Sequence, residues 1–329
     1  MIWLASLLGL MAMGGTLFVG DDDVANNNSE DDEPRGSGQV PSSGSGEVQP
    51  LSSLLPSDTP SEESDILSGG DGDDHLAGGL GDDQINGYDG DDLLDGGGDN
   101  DQLFGGEGVD TLTGGDGSDL LHGQGGDDQL LGENGSDSLY GHFGNDLIEG
   151  GGGDDTAHGG QGDDTLFGGS GNDALHGNYG NDSLAGGSGS DTLFGGVGDD
   201  LVSGADDGDT RDFVNGGEGD DTLVAGANDV LTMGDGADQI IVGDWIDADQ
   251  SIEMMDFDRT EDQLVLLWDL QTQPDPDIEV EADPDSPEYS VVRVNGTEVL
   301  RVNSSANLTA SDITLLDQDS SDLIGLPFS

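Results

Sequence analysis

A nine-residue pattern repeats without interruption from Gly69 to Ser203, and it limits the fold more than any other feature of the chain. Counted from Gly69 as position 1, all fifteen units have glycine at position 1 and aspartate at position 6. Position 4 is glycine except at Asp99, and position 8 is Leu, Ile or Val except at Ala157. Chance does not hold such a register over fifteen units. The pattern therefore predicts a solenoid of stacked, nearly identical units.

The residue types within one unit indicate how the solenoid is built. Closely spaced glycines allow positive φ angles and bring backbone carbonyls together without Cβ clashes. Positions 7 to 9 read polar, aliphatic and mixed, as in Thr165-Leu166-Phe167. In a short strand, position 8 alone then points inward. One inward aliphatic side chain cannot fold a unit, but stacked units share a continuous thin core, so we predict an all-β fold.

Composition adds a charge problem to this architecture. The chain has 73 acidic and 5 basic residues, a net charge of −68, and 61 glycines. By composition alone it would be classed as disordered, and the repeat argues against that. The charge argues against binding nucleic acid, which is itself a polyanion. Cysteine is absent, which excludes disulfides and thiolate metal sites and leaves oxygen as the abundant ligand atom.

The aspartates at position 6 are the candidate metal ligands. Residues 69–203 contain thirty acidic residues and no Lys or Arg. Like charges about 4–5 Å apart in stacked layers repel by several kcal/mol even at an effective dielectric near 20, so a cation must lie between the layers. Carbonyls and carboxylates form an all-oxygen site of flexible geometry, which favours Ca²⁺ over Mg²⁺. The candidates, including two in later units, are Asp74, Asp83, Asp92, Asp101, Asp110, Asp119, Asp128, Asp137, Asp146, Asp155, Asp164, Asp173, Asp182, Asp191, Asp200, Asp221 and Asp238.

The repeat resembles the hemolysin-type calcium-binding nonapeptides of RTX proteins. The resemblance implies a right-handed parallel β-roll (a β-solenoid) in which two units make one turn and each loop binds calcium jointly with the loop one turn along. Asp74 would then share an ion with the loop holding Asp92, and Asp83 with the loop holding Asp101. Fifteen loops would hold roughly thirteen ions.

Some positions depart from this pattern. Asp99 replaces a loop glycine and puts the site at 96–101 in doubt, and Ala157 is expected to leave a small gap in the core. Residues 204–215 are three longer than a unit, so we expect a bulge there, with Asp209 and Asp212 as weak ligand candidates. The second glycine is replaced, with a milder expected effect, at Tyr88, Gln124, Glu133, His142 and Asn178.

Two further groups of polar residues could serve as ligands, and we favour a simpler interpretation of both. The acids at position 5, such as Asp73, Asp82, Asp127 and Asp163, are expected to be solvated beside the metal sites. The histidines occupy repeat positions 7, 9 and 2, which do not converge as a zinc site requires, although His158 and His176 are 18 residues apart and can stack. We therefore expect them to be surface residues: His75, His122, His142, His158 and His176.

The array lies between segments of different character. Residues 2–20 carry no charge and as a helix would span about 28 Å, close to a bilayer core of about 30 Å. Residues 1–20 are therefore interpreted as an export signal or a membrane anchor, and 21–64 as a disordered acidic linker. The β-roll is assigned to 65–241 and a β-rich C-terminal cap to 242–329.

The C-terminal part reads as strands. We predict strands in 252–267 and a hairpin in 289–303 around Asn295-Gly296, with a loop over the Pro- and Asp-rich residues 273–287. The stretches DFDRTEDQLVLL and DITLL resemble the region that follows such arrays in secreted proteins. The chain ends in DLIGLPFS, which is compatible with a type I secretion signal.

Motifs of catalysis are missing from the sequence. It contains neither H-E-x-x-H nor G-x-S-x-G. We therefore expect a non-enzymatic, exported calcium-binding protein, extracellular or attached to the cell surface, that folds when calcium binds. Its expected partners are calcium ions, a type I secretion system, and a surface or matrix partner, with an N-terminal membrane tether as an option. The alternatives are a secreted enzyme or toxin with an unrecognised active site in the C-terminal part, and a calcium buffer.

Overall fold

The structure, a computed structural model, describes residues 62–205, 210–243, 246, 250–304 and 308–317. These residues form 26 strands in two sheets, with no α-helix and one 3-10 turn at Ala310–Asp312. The all-β solenoid predicted from the repeat is confirmed. The hydrophobic segment 2–20, the linker up to residue 61, Asp209 and the chain end DLIGLPFS lie outside the described residues.

Within the repeat array, successive strands alternate between the two sheets, so one turn takes 18 residues in its regular part and Ile85 pairs with Leu103 in parallel. The first sheet contains, in spatial order, β1 (Ile66–Asp71), β3 (Gln84–Asp89), β5 (Gln102–Glu107), β7 (Leu120–Gly125), β9 (Ser138–Phe143), β11 (Thr156–Gln161), β13 (Ala174–Tyr179), β15 (Thr192–Val197), β17 (Phe213–Glu218), β19 (Val230–Asp235), β21 (Ile252–Phe257), β25 (Thr297–Ser304), β24 (Tyr289–Val294) and β23 (Ile278–Ala282).

The second sheet has the same construction and faces the first across the core. It contains, in spatial order, β2 (His75–Leu80), β4 (Leu93–Gly98), β6 (Thr111–Asp116), β8 (Gln129–Asn134), β10 (Leu147–Gly152), β12 (Thr165–Ser170), β14 (Ser183–Ser188), β16 (Leu201–Ser203), β18 (Thr222–Val224), β20 (Gln239–Val242), β22 (Gln263–Trp268) and β26 (Ile313–Asp317).

A regular strand covers positions 7 to 9 of one unit and 1 to 3 of the next, and positions 4 to 6 turn the chain into the other sheet. Position 8 is the side chain that reaches the core, as the alternation of a strand requires. From Ile85 to Leu193 every position-8 residue is fully buried, Ala157 included. These residues form one continuous hydrophobic cluster that extends into the C-terminal strands, where it includes Phe257 and Leu300.

The irregular end of the array keeps its strand pairing. Thr192 on β15 pairs with Phe213 on β17, an offset of 21 residues, and Phe213 pairs with Val230 on β19, an offset of 17. The bulge expected within 204–215 does not interrupt the described strands, which keep their pairing on either side, and residues 206–209 lie outside the described part of the chain. An insertion in a connecting loop leaves the hydrogen-bonded ladder intact.

The strands after residue 242 continue both sheets. β21 pairs in parallel with β19 and β25, and β22 pairs in parallel with β20 and β26. The predicted hairpin around Asn295-Gly296 is confirmed, with β24 antiparallel to β25. The loop predicted for 273–287 was wrong in part, because β23 (Ile278–Ala282) pairs antiparallel with β24. Its alternating Ile, Glu and Val satisfy a strand once a partner edge is present.

Candidate functional site

The aspartates at position 6 lie at the turn between the two sheets, directly before each strand. The core ladder draws position 8 inward, and this brings position 6 below the surface as well. Asp74, in the first turn, is half-buried. The other predicted ligands are at most 3% exposed, from Asp83 to Asp238.

One oxygen of each buried carboxylate is used to join the turns. Oδ1 of Asp101 accepts the backbone N–H of Asp83 at 2.7 Å, and Oδ1 of Asp110 accepts that of Asp92 at 2.8 Å. The same bond repeats one turn at a time to Asp182, whose N–H reaches Oδ1 of Asp200 at 2.7 Å. Each aspartate is thereby fixed to the turn before it, because the bond joins residues 18 apart.

The second oxygen of these carboxylates is buried without a donor. Within the described part of the chain, Oδ2 has no hydrogen-bond partner in Asp83, Asp92, Asp101, Asp110, Asp119, Asp128, Asp137, Asp146, Asp155, Asp164, Asp173, Asp182, Asp200, Asp221 and Asp238. A buried charged acceptor without a partner costs the full desolvation of that group. A regular column of such atoms indicates that a cation completes the arrangement.

The orphaned oxygen faces a second oxygen across the position-1 glycine. A Cβ added to Gly150 would lie 2.5 Å from Oδ2 of Asp155 and 2.6 Å from the carbonyl oxygen of Gly168, one turn along. Carboxylate and carbonyl oxygens of two successive turns therefore converge on a space that a side chain at position 1 would fill. This all-oxygen donor set fits Ca²⁺. The residues present fit the calcium site that the repeat implies.

Burial of unpaired carboxylates raises their pKa. Desolvation is the largest cause, with repulsion from neighbouring aspartates adding to it and the backbone hydrogen bond opposing it. The pKa rises to about 7 for Asp101, Asp128, Asp155, Asp164, Asp200 and Asp221. It rises to about 6 for Asp110, Asp119, Asp146, Asp182 and Asp238. Without a cation these carboxyls therefore hold protons at pH values at which a solvated aspartate is ionised.

This gives a pH dependence for the calcium-free chain. Because the folded pKa is raised from 3.8 to about 6 or 7, the folded chain binds more protons than the unfolded one in that interval. Its stability is therefore greatest below about pH 4 and is lost as the pH rises through 6 to 7. We expect a calcium-free sample to gain β signal in far-UV circular dichroism on acidification, with a midpoint between pH 6 and 7. A midpoint near pH 4, typical of solvated carboxyls, would contradict it.

The position-5 residues form a separate, exposed ladder. Their side chains accept hydrogen bonds from the following turn, whereas the position-6 carboxylates accept them from the preceding turn. Oδ1 of Asp127 accepts the N–H of Asn145 one turn later at 2.8 Å, and Oδ1 of Asn145 accepts that of Asp163 at 2.8 Å. Asp73 and Asp82 make the same bond to the following turn. These side chains thus brace the outside of the loops, and Asn replaces Asp there without loss of the bond.

The departures from the repeat leave this geometry in place. Asp99 adopts a φ of 75° in the loop, and its Oδ2 accepts the N–H of Gly81 at 3.0 Å. Asp101, two residues on, keeps its burial and its bond to Asp83. The five residues that replace the second glycine also adopt positive φ, between 70° and 86°: Tyr88, Gln124, Glu133, His142 and Asn178.

The sequence did not identify every member of the aspartate column. Two further aspartates are fully buried: Asp212, which was a weak candidate, and Asp229, which was not a candidate. Oδ1 of Asp212 accepts the N–H of Asp191, and Oδ1 of Asp229 accepts the N–H of Asp212. Asp229 differs because its Oδ2 accepts the N–H of Gly226 at 2.6 Å. Oδ1 of Asp262 accepts the N–H of Asp238 at 3.2 Å, so Asp262 continues the column beyond Asp238. Asp212, Asp229 and Asp262 follow the aspartate one turn earlier by 21, 17 and 24 residues, so a register of nine residues does not identify them.

The predicted surface histidines fall into two groups. His75 is exposed near the start of the roll, whereas His122, His142, His158 and His176 are half-buried or exposed on one sheet and contact other rings. Within the residues that the structure describes, no three His or acidic side chains form a compact group able to hold a metal ion. Each candidate calcium site described above is therefore formed by one carboxylate together with backbone carbonyl oxygens, and not by a cluster of side chains.

A search of the described residues for membrane-spanning helices found no helix with the necessary length and apolar character.

Comparison with known families supports the geometry. The family model for the RTX calcium-binding nonapeptide repeat (four copies) matches five stretches that together cover more than half of the chain: 68–103, 104–139, 140–175, 176–210 and 207–240. A search among curated proteins found no match.

Proposed function

Because this chain belongs to the RTX calcium-binding nonapeptide repeat family and its repeats bind calcium in a β-roll, we propose that it is an exported protein whose roll folds as calcium binds and acts as a structural or adhesive element at the cell surface. The observation that carries this proposal is the column of buried Oδ2 atoms without hydrogen-bond partners. A protein that worked without cations would leave these charges uncompensated.

In this proposal each ion is held between two successive turns. The position-6 carboxylates supply charge, and backbone carbonyls near the position-1 glycines supply the neutral oxygens, as the convergence at Gly150, Asp155 and Gly168 supports. The ligands in this proposal are the seventeen aspartates predicted from the sequence, and Asp212 is added because it is buried and its Oδ1 accepts the N–H of Asp191. Calcium supplies positive charge between the layers and so links folding to the calcium concentration.

The proposed export is compatible with calcium-coupled folding. In a compartment low in calcium, repulsion among the aspartates keeps the array extended, and outside the cell the ions neutralise it. Residues 1–20 are proposed as an export signal or membrane tether, and the end of the chain as a signal for type I secretion. We also propose that the strands beyond residue 242 cap the roll, because they continue both sheets and end in an antiparallel hairpin.

We propose a non-enzymatic role. A cavity of about 470 Å³ in the C-terminal part is lined by five charged residues, four of which form ion pairs with one another. Arg301 contacts Asp283 at 2.8 Å, and Arg293 contacts Glu298 at 3.0 Å. These carboxylates are neutralised by the arginines beside them, and an arginine stays protonated and does not serve as a general base. The lining of this cavity, in the part of the chain that the structure describes, therefore gives no support to the alternative of an enzyme or toxin.

Two neighbouring aspartates provide the test of the ligand assignment. Asp128 is buried with an unpartnered Oδ2, whereas Asp127 is exposed and bonds only to the next loop. We expect Asp128→Asn to weaken calcium binding at the two sites that share this residue, because the change removes one charge and puts a donor where an acceptor is needed. Calcium stoichiometry and affinity would be measured by isothermal titration calorimetry on the full chain.

Asp127→Asn is the matched control, since it removes the same charge one residue away and keeps the acceptor oxygen. It should leave the stoichiometry unchanged. Equal losses in both variants would mean that calcium responds to overall charge, and the assignment of position 6 as the ligand would be wrong.

A further inference from the structure

Five consecutive strands of the first sheet carry no charged residue. They are β7, β9, β11, β13 and β15, and the solenoid places them side by side although they are separated along the chain. Their sequences are LLHGQG, SLYGHF, TAHGGQ, ALHGNY and TLFGGV, without Asp, Glu, Lys or Arg. The net charge of the whole chain is −68, so these strands contribute none of it. We call it the uncharged face.

A ladder of stacked rings runs along this face at position 9. His122 stacks on Tyr140 with centroids 4.8 Å apart, and Tyr140 stacks on His158 at 5.2 Å. His176 and Phe194 continue the ladder at 4.7 and 5.0 Å. The ring planes in these four contacts are within 13° of parallel. Stacking across parallel strands fixes the rings in place and leaves their edges toward solvent.

A shallow groove of about 360 Å³ runs beside the ladder. Tyr140 and His158 of the ladder line one side, and Phe143 and Tyr179 line the other, with Gly160 between them. Phe143 and Tyr179 are 60% and 61% exposed. Phe143 on β9 and Tyr179 on β13 both occupy position 3 of the repeat, and Gln161 occupies it on β11 between them. At the usual strand spacing β9 and β13 are about 9.6 Å apart. Exposed aromatic residues grouped around a groove mark a binding surface.

The groove is polar but uncharged. Gln161 and Asn178 offer amide donors and acceptors, and Tyr140 and Tyr179 add hydroxyls. Burial lowers the pKa of His142 and His158, so both imidazoles are neutral at neutral pH. Acidic loops flank the face, with Asp127 and Asp163 on their outer side. They repel anionic partners, and a cationic partner would prefer the loops to the groove.

We propose that the uncharged face binds a linear neutral polysaccharide lying along the axis of the roll. The exposed rings of Phe143 and Tyr179 can stack on the apolar faces of sugar rings, and the amides and hydroxyls of the groove can bond to sugar hydroxyls, so its residue types match this ligand class. Phe143 and Tyr179 occupy the same position on β9 and β13, so the groove offers a polymer two aromatic contacts along the roll. The proposal rests on the proposed calcium-bound fold, because only that fold brings these strands together.

The test uses the full chain in saturating calcium and isothermal titration with hexasaccharides of glucose, mannose and N-acetylglucosamine, with an anionic uronate hexamer as comparison. We expect at least one neutral hexamer to bind and the uronate not to bind. Phe143→Ala and Tyr179→Ala should each weaken binding about fivefold to tenfold through the loss of one stacking contact. Tyr88→Ala removes a ring that is 54% exposed on β3, outside the face, and should leave the affinity unchanged.

Circular dichroism of each sample separates the two possible failures. If calcium induces β structure but no neutral hexamer binds, the polysaccharide proposal is wrong and the proposed function stands. If calcium induces no β structure, the proposed function itself fails. Preferential binding of the uronate, equal losses in Tyr88→Ala and Phe143→Ala, or calcium-dependent dimerisation abolished by Phe143→Ala would each overturn the assignment of a polysaccharide.

Discussion

Removing calcium at pH 8 should convert the roll to an unfolded chain, and returning calcium should restore it cooperatively. At that pH the position-6 aspartates are ionised, since even the raised pKa values reach only about 7. Their carboxylates then repel one another across successive turns, as Asp128 does Asp110 and Asp146, and residues 69–203 contain no Lys or Arg to compensate the charge. At an effective dielectric near 20, each such pair costs several kcal/mol, which a thin core of one aliphatic residue per strand cannot offset.

Far-UV circular dichroism of the full chain, first dialysed against a chelator, measures this directly. A titration to millimolar calcium should give a steep gain of β signal, because each ion braces two turns and thereby prepares the next site. Magnesium is the control: it requires a compact octahedral shell and releases water reluctantly, so it should not replace calcium. A β signal already present in chelator at pH 8, or an equal response to magnesium, would contradict calcium-coupled folding.

Adding one methyl group at Gly135 should destabilise the roll by at least about 3 kcal/mol. Gly135 is the position-4 glycine of its loop and has a φ of 150°. An added Cβ would overlap the carbonyl oxygen of Gly117, one turn earlier, and would lie 3.2 Å from Oδ1 of Asp137. Neither atom can move independently, because both belong to the hydrogen-bonded loop that surrounds the metal site. Gly135→Ala must therefore force two turns apart.

Gly152 provides the matched control for this substitution. It lies on β10, its φ is not positive, and the nearest atom to an added Cβ is Oγ of Ser170 at 3.4 Å. Gly152→Ala should change the free energy of unfolding by less than about 1 kcal/mol. Thermal melts in calcium, together with the calcium midpoint of folding, would compare the two variants. Similar melting temperatures would show that successive loops are less tightly packed than the structure indicates.

The repeat allowed the core and the candidate site to be predicted by position. Position 8 is the core and position 6 is the buried carboxylate because a nine-residue period and a strand period of two assign each side chain to a direction. In a solenoid, neighbouring turns repeat the same contact, so one correct unit predicts the others. Asp128 and Leu130 could be assigned from the sequence for this reason.

Assignment failed where spacing changed. Asp212 was given little weight and Asp229 was missed, because insertions and deletions between β16 and β20 alter the offset while the sheets keep their pairing. β23 (Ile278–Ala282) was missed because its Pro- and Asp-rich neighbours indicate a loop. Its strand conformation depends on hydrogen bonds to β24, which no local pattern reports.

The sequence by itself determined the stacking, the core column and the acidic column, since each depends on contacts that recur at a fixed interval. Only the tertiary structure decided which carboxylate oxygen is left without a donor and which distant residues share a face. The 18-residue interval in the sequence already allowed His158 and His176 to stack, and the parallel pairing of alternate strands extends that pair to a ladder that includes His122 and Tyr140. The reason is that a local period fixes the direction of a side chain, whereas its neighbours are fixed by hydrogen bonds between turns.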